Sequence, residues 1–161
     1  MKAKGILHKD LNALIGELGH GDVIIICDAG FAVPKGVQRI ELAIEQNVPT
    51  VERILELLKE ELIIEKYTLA EEMKEVNPVM LSKYQKLYEG TTIQCEFVPH
   101  SVLAGEIAPK CKAIVRTGTF QPYGSIAIYP AIDAVEWYKA EGVSVPEFYR
   151  ERVMRAREND K

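Results

Sequence analysis

The sequence G-H-G-D-V-I-I-I-C-D-A-G, residues 19–30, places a short apolar run between glycines, with a histidine before it and an aspartate after it. The run 23–27 is short and rich in β-branched residues, which predicts a strand buried on both faces of a sheet. His20 and Asp28 stand where this strand meets its loops, a place where α/β proteins gather ligand-binding groups. These residues alone fit a structural role equally well, with Asp28 capping the loop and His20 ending a helix.

Helix and strand patterns alternate on both sides of this run. Apolar residues at helical spacing predict a helix over 10–18 capped by Asp10, and another that begins after the cap Thr50. Asn77-Pro78 and Pro99 open further helices. Segments typical of strands cover 37–43, 63–70, 93–98, 112–116 and 125–129. This alternation predicts an α/β fold, a three-layer α/β/α sandwich with a central, mostly parallel sheet.

The pattern changes after Pro130, where only helices are predicted. The segment 144–147 has the form of a capping box before a final helix. We therefore divide the chain into a domain over 1–130 and a C-terminal helical extension over 131–161.

Composition excludes several classes of function. The chain has 161 residues, of which 47% are hydrophobic and 27% charged, and this is typical of one globular domain. A net charge of −4 argues against binding to nucleic acid, which needs a clustered basic face.

The sequence contains no hydrophobic signal core and no apolar run long enough to span a membrane, so we expect a cytoplasmic protein without membrane contact.

Histidine and cysteine usage is sparse. The three histidines, His8, His20 and His100, include no closely spaced pair, so we expect no metal site. The cysteines Cys27, Cys95 and Cys111 lack Cys-x-x-Cys spacing, which favours free, buried thiols.

The motifs of three common chemistries are missing. The sequence contains no Walker-type loop, no G-x-G-x-x-G after the first strand and no G-x-S-x-G. The remaining reactive groups are imidazole, carboxylate, phenol and hydroxyl, which suit proton transfer on a hydroxylated substrate. His100 at a helix start and the loop 116–125, which ends in Tyr123, Gly124 and Ser125, supply such groups. Taken singly, each is more typical of a cap or a packed polar loop.

Several motifs together, in order and spacing, resemble the D-ribose pyranase family and the related L-fucose mutarotases. They are G-I-L (5–7), L-G-H-G-D (18–22), D-A-G-F-A-V-P (28–34), R-I-E-L-A (39–43), E-E-M-K-E-V-N-P (71–78), A-I-V-R-T-G (113–118) and P-Y-G-S (122–125). The resemblance covers roughly residues 1–130. It implies a cytoplasmic enzyme without a cofactor that interconverts the cyclic forms of a free sugar, in a ring-shaped homo-oligomer such as a decamer.

The resemblance also implies roles for particular residues. It assigns the proton donor to His20 and sugar binding to Asp28, His100, Tyr123, Gly124 and Ser125. Ser125 replaces the asparagine usual in the family and lacks an amide that can both donate and accept. The G-H-G-D form is closer to fucose mutarotases, whereas D-A-G-F-A-V-P and His100 are closer to ribose pyranases. Two alternatives stay open: an L-fucose-type mutarotase, and a non-catalytic monosaccharide-binding or regulatory protein.

The spacing of His20 and Asp28 raises a geometric question. Five extended strand residues at about 3.3 Å each would separate the two by roughly 16 Å, too far for both to touch one pentose. Either the flanking glycines fold one end back, or His20 of one subunit meets Asp28 of a neighbour. We favour the second arrangement, which makes oligomerisation a condition of catalysis.

Overall fold

The computed structural model describes residues 2–159 and, within them, the side chains up to residue 154. The helices and strands in this range are α1 Lys9–Glu17, β1 Ile24–Cys27, β2 Gln38–Glu41, α2 Val51–Glu61, β3 Ile64–Ala70, α3 Met73–Val76, α4 Pro78–Leu87, β4 Gln94–Val98, α5 His100–Val102, β5 Ala113–Arg116, β6 Ile126–Pro130, α6 Ala134–Trp137 and α7 Glu147–Asn159. A π-helical turn at Leu103–Ile107 and a 3-10 turn at Ala108–Lys110 continue α5. The α/β class predicted from the sequence is confirmed.

The strands form one six-stranded sheet in the order β2-β5-β1-β6-β3-β4. The pairs β1·β5, β2·β5 and β3·β4 are parallel, and β6 is antiparallel to both of its neighbours, β1 and β3. Five strands therefore run in one direction and β6 runs against them, so the prediction of a mostly parallel sheet is confirmed.

The central strand β1 separates two hydrophobic cores. Ile24 and Ile26 face one core, which includes apolar side chains of α1, α2 and α4. Ile25 and Cys27 face the other, together with Leu103 of the π-helical turn. All four residues of β1 have zero solvent exposure. Successive strand residues point to opposite faces, so a continuous apolar run is what a sheet covered on both sides requires.

The helix starts after Thr50 and at Asn77-Pro78 follow the sequence prediction, whereas α7 begins at Glu147, the last residue of the predicted capping box, and the predicted cap of α1 is not observed. The Thr50 hydroxyl accepts from the backbone N–H of Arg53 at 3.2 Å, and the side-chain oxygen Oδ1 of Asn77 accepts from Met80 N–H at 3.3 Å. The predicted cap Asp10 is wrong, because α1 begins earlier and His8 is the cap, with Nδ1 accepting from Leu11 N–H at 3.4 Å. Asp10 lies within the first turn, where its negative charge is favoured by the helix dipole.

The predicted C-terminal helices are present as α6 and α7, and the last two residues of the predicted extension, 160 and 161, lie outside the described residues. Val153 of α7 is 3% exposed, so this helix packs against the protein rather than projecting from it. No helix in the described range is long and apolar enough to cross a bilayer.

Candidate functional site

Three chain segments meet at the carboxyl edge of the parallel strands. Asp28 directly follows β1, and His100 follows β4 after one proline. Ser125 precedes β6, and because β6 runs against the others its start lies at this same edge. Tyr123 and Gly124 belong to the same loop. All five predicted sugar-binding residues therefore lie at one edge of the sheet, where α/β proteins commonly bind ligands.

Asp28 and Ser125 form a two-way hydrogen-bonded pair. The Ser125 hydroxyl donates to Asp28 Oδ2 at 2.7 Å and accepts from the Asp28 backbone N–H at 3.2 Å. The other carboxylate oxygen, Oδ1, accepts from Gly30 N–H at 2.9 Å. Asp28 thus stabilises its own loop, which is the structural role that the sequence also predicted for it. Its carboxylate is held in one orientation while remaining partly exposed to a ligand.

Hydrogen bonds to neighbouring strands and helices hold the loop 117–125 in place. Its strands β5 and β6 are not paired to each other, because β1 lies between them. The Thr117 hydroxyl donates to Cys27 O at 2.9 Å, and the Thr119 hydroxyl accepts from Val51 N–H at 2.7 Å. The buried Tyr84 hydroxyl donates to Gly124 O at 2.7 Å. The first two contacts fix the start of the loop, and the third fixes Gly124, next to the Ser125 that pairs with Asp28.

Aromatic rings surround His100. The His100 and Tyr123 ring centroids are 5.3 Å apart at 80°, and Phe31 meets His100 edge-on at 6.2 Å. The backbone N–H of His100 donates to both carboxylate oxygens of Glu72, at 3.1 and 2.9 Å. His100 Nδ1 is buried and has no hydrogen-bond partner in the described part of the chain. A buried ring nitrogen without a partner is suited to bind a polar group of a ligand.

Tyr123 adopts an unusual backbone conformation, with φ +55°. The left-handed region is costly for a residue other than glycine or asparagine, and such strain concentrates at functional sites. The ring of this residue is the one that contacts His100.

Burial keeps the groups around Asp28 neutral. It raises the pKa of the Tyr84 hydroxyl well above its ordinary value, and the nearby charges of Glu52 and Asp28 raise it further. Burial, followed by the charge of Asp28, also raises the pKa of the Cys27 thiol far above its usual range. Both groups remain protonated near neutral pH.

His20 lies at the opposite edge of the sheet. It precedes β1, and its Nδ1 is 3.9 Å from Oε2 of Glu65, at the start of β3. The length of β1 separates it from Asp28, at about 3.3 Å per residue. Within one chain, the structure does not bring His20 together with the other five predicted site residues.

Sequence reasoning did not nominate several residues that shape this edge. Phe31 and Glu72 contact His100. Both lie in motifs that carry the family resemblance, D-A-G-F and E-E-M-K-E-V-N-P. The sequence did not indicate their contact with His100, because His100 is remote from both along the chain. Tyr84 and Thr119 carry no local signal beyond their place in a helix and a loop. Among the described side chains, no group of three or more histidine, cysteine, aspartate and glutamate residues converges as a metal site would require.

Comparison with known proteins gives consistent results over most of the chain. A sequence profile of the RbsD / FucU transport protein family matches residues 1–132. "D-ribose pyranase 2" of Rubrobacter xylanophilus is 40% identical over 152 residues, which cover 94% of this chain and 97% of that protein. "D-ribose pyranase" of Haemophilus influenzae is 38% identical over 138 residues, covering 82% of this chain and 99% of that protein.

A solved structure shares the fold. Bacillus subtilis RbsD complexed with D-ribose superimposes with a TM-score of 0.77 at 32% identity, covering 82% of this chain and 98% of that one.

Proposed function

The chain belongs to the RbsD / FucU transport protein family, and we propose that it is a sugar isomerase that interconverts the pyranose and furanose forms, or the anomers, of a free monosaccharide such as D-ribose. The proposal is supported by relatives that are named D-ribose pyranases and match most of the chain. It is also supported by a similar protein, RbsD, solved with D-ribose.

One structural observation carries the proposal. Asp28, Ser125, His100 and Tyr123 lie together at the carboxyl edge of the sheet, with the Asp28 carboxylate fixed by Ser125 and Gly30. A sugar offers mainly hydroxyl groups for recognition. A fixed carboxylate accepts hydrogen bonds from hydroxyls, and an imidazole nitrogen and a phenol can donate or accept. In our proposal Asp28, His100, Tyr123, Gly124 and Ser125 bind the sugar.

The chemistry requires only proton transfer. A proton moves to the ring oxygen while another leaves the anomeric hydroxyl, the hemiacetal opens to the aldehyde, and a different hydroxyl or the other face closes the ring. Atoms and electrons are conserved, so the reaction requires no cofactor. We propose His20 as the proton donor, because an imidazole exchanges protons near neutral pH. Positioned acid-base groups accelerate such steps by about 10²–10⁴-fold.

We further propose that the active site is shared between subunits. His20 and Asp28 lie at opposite edges of the sheet within one chain, so one sugar can contact both only if His20 comes from a neighbouring subunit. A ring-shaped homo-oligomer provides such a repeated contact. We place the enzyme in the cytoplasm, because three free cysteines fit a reducing compartment.

Magnetisation-transfer NMR of D-ribose with the purified protein tests the activity. We expect faster exchange between ring forms, abolished by His20→Ala. His8→Asn is the matched control, since His8 caps α1 and asparagine is also a good cap. L-fucose serves as the comparison sugar. If exchange is accelerated more for L-fucose than for D-ribose, the protein is an L-fucose-type mutarotase. Sugar binding without accelerated exchange would support the non-catalytic alternative.

Co-expression of His20→Ala with Asp28→Asn tests the shared site. Each variant alone is expected to be inactive. Randomly mixed oligomers would combine an intact His20 with a neighbour's intact Asp28 at roughly a quarter of the sites. Recovered exchange supports a site between subunits, whereas no recovery means that each chain builds its own site.

A further inference from the structure

The carboxylate of Glu72 binds the backbone of His100. Both of its oxygens accept from the His100 N–H, Oε1 at 3.1 Å and Oε2 at 2.9 Å. These are hydrogen-bond distances, and a charged acceptor makes such bonds stronger than those between neutral groups. Within the described residues the Glu72 carboxylate forms no ion pair, so the His100 N–H is its partner.

The start of α5 lacks an acceptor of its own. His100 is the first residue of this helix, and its N–H has no partner inside the helix. The Pro99 carbonyl accepts from the N–H groups of Val102 and Leu103 at 2.9 and 3.1 Å, but the Pro99 side chain cannot cap. Glu72 supplies an acceptor from a residue 28 positions earlier, and the helix dipole favours its negative charge there.

The pairing of β3 with β4 brings Glu72 to His100. Ala70 and Val98, the last residues of the two strands, are paired in parallel register. The Glu71 N–H donates to Val98 O at 2.8 Å, which extends the pairing beyond the strands. Glu72 and His100 each come two residues after the Ala70–Val98 pair, so they lie side by side at the carboxyl edge.

The segment that carries Glu72 is itself fixed on the sheet. The Glu72 carbonyl accepts from Val76 N–H at 2.9 Å, at the start of α3. Met73 is completely buried, and Nζ of Lys74 lies 3.9 Å from the centroid of the Phe97 ring in β4. A carboxylate on a fixed backbone can hold its partner in one position.

The imidazole of His100 depends on its backbone for its position. Its Nδ1 is buried and has no hydrogen-bond partner among the residues that the structure describes. The ring meets Phe31 and Tyr123 edge-on, at centroid separations of 6.2 and 5.3 Å. These contacts limit the tilt of the ring, whereas the backbone from which it projects sets its place along the sheet edge.

We propose that Glu72 is a positioning residue, which holds His100 where its imidazole can bind the sugar. Glu72 acts through the His100 N–H and does not contact the sugar itself. When this hydrogen bond is lost, the first turn of α5 can shift and the imidazole loses its fixed place between Phe31 and Tyr123. This inference rests on the proposed sugar-binding role of His100.

Amide hydrogen exchange of the full-length protein, followed by NMR without sugar, tests the contact. Glu72→Ala should accelerate exchange of the His100 N–H by about tenfold or more, because the amide loses its acceptor. Glu72→Gln keeps one oxygen that can accept and should keep most of the protection. The matched control is Glu75→Ala, which removes an exposed carboxylate from the same helix and should leave the His100 amide unchanged.

An NMR titration with D-ribose tests the positioning role. Glu72→Ala should raise the Kd for D-ribose by about tenfold, whereas Glu75→Ala should leave it unchanged. At saturating sugar the rate of exchange between ring forms should stay within about twofold, because Glu72 supports binding and His20 is the proposed proton donor.

Two conservative variants separate the reach of the side chain from its charge. Glu72→Asp keeps the charge, but its carboxylate is one methylene too short to reach the His100 N–H. Glu72→Gln keeps the reach and loses the charge. Glu72→Asp should therefore weaken D-ribose binding more than Glu72→Gln does. The opposite order would mean that the charge acts at a distance, and it would overturn the inference.

Two further results would overturn it. One is an unchanged Kd for D-ribose in Glu72→Ala. The other is weaker binding in Glu72→Ala while the His100 amide exchanges as before, because Glu72 would then act by a route other than His100.

Binding and exchange are measured separately, so the two proposals can fail separately. Weaker binding in Glu72→Ala that Glu72→Gln restores, in a protein that does not accelerate exchange, would support the positioning role and contradict the isomerase function. Accelerated exchange that depends on His20, with a Kd insensitive to Glu72→Ala, would support the function and overturn the positioning role.

Discussion

Ser125 Oγ donates a 2.7 Å hydrogen bond to Asp28 Oδ2 and so joins two residues that are 97 positions apart in the sequence. The same oxygen accepts from the Asp28 backbone N–H, so the start of β6 and the end of β1 are linked twice. Ser125 is almost fully buried, and its side chain is engaged with Asp28. We expect the Asp28 carboxylate, rather than the serine, to be the main hydrogen-bonding group that this pair presents to a sugar.

The Ser125–Asp28 pair should stabilise the protein even without a ligand. A hydrogen bond to a charged group contributes about 1.5–3 kcal/mol, so Ser125→Ala and Asp28→Asn should each lower the free energy of unfolding. Because the two residues are in contact, a double-mutant cycle by urea denaturation should give a coupling energy of about 1 kcal/mol or more. Effects that add within about 0.3 kcal/mol would mean that the pair contributes no coupling.

Gly118 should tolerate no side chain. A Cβ at this position would lie 2.2 Å from Glu45 O and 2.7 Å from both N and O of Val48, all of them backbone atoms that cannot rotate away. Gly118→Ala should destabilise the protein by about 3 kcal/mol and shift the loop that carries Tyr123 to Ser125, lowering sugar exchange.

Gly16→Ala is the matched control for Gly118→Ala. Gly16 lies in α1, and an added Cβ would meet nothing within 4 Å. Alanine is the better helix former, so this variant should raise the free energy of unfolding by about 0.5–1 kcal/mol. If urea denaturation gave the same change in the free energy of unfolding for both substitutions, the close contact between Gly118 and the backbone of Glu45 and Val48 would be contradicted.

Stability should fall at alkaline pH. Burial raises the pKa of the Cys111 thiol from 9.0 to about 12, and burial raises that of Tyr84 well above 10.0. Both groups stay protonated in the native state while the unfolded chain loses its protons. Their contribution is complete below the unfolded pKa values and is lost as pH rises towards the native ones.

Calorimetric melting from about pH 8 to about pH 11 checks this alkaline loss. The Cys111→Ala variant should show a smaller decrease in Tm over that range. A melting temperature that stays constant over this pH range would mean that Cys111 and Tyr84 have the same pKa values in the native and unfolded states.

Thiol reactivity should distinguish the three cysteines. Cys27 is completely buried and Cys111 is 8% exposed, whereas Cys95 on the edge strand β4 is partly exposed. Thiolates are the reactive form, and burial raises the pKa of all three thiols. Iodoacetamide followed by peptide mass spectrometry should label Cys95 first and slowly, and Cys27 and Cys111 only after unfolding. Rapid labelling of Cys27 in the folded protein would contradict the buried position of β1.

Much of the fold could be predicted because its signals are local. The β-branched run at β1, the cap Thr50, the helix start at Asn77-Pro78 and the buried free thiols of Cys27 and Cys111 agree with the structure, whereas Cys95 is only partly buried. The α1 cap was assigned wrongly, since aspartate is a commoner cap than histidine and Asp10 was preferred over His8. The motifs that resemble the family identified the candidate site residues. They did not indicate that Phe31 and Glu72 lie beside His100.

The sequence by itself determined which segments are strands and helices, that β1 is buried on both faces, and which family the chain belongs to. These properties follow from side-chain periodicity, propensity and motif order, which a linear sequence carries. Only the tertiary structure decided that β6 runs between β1 and β3, and that five candidate residues share one edge while His20 lies at the other. The physical reason is that strand order depends on how remote segments pack together, and no local pattern encodes that packing.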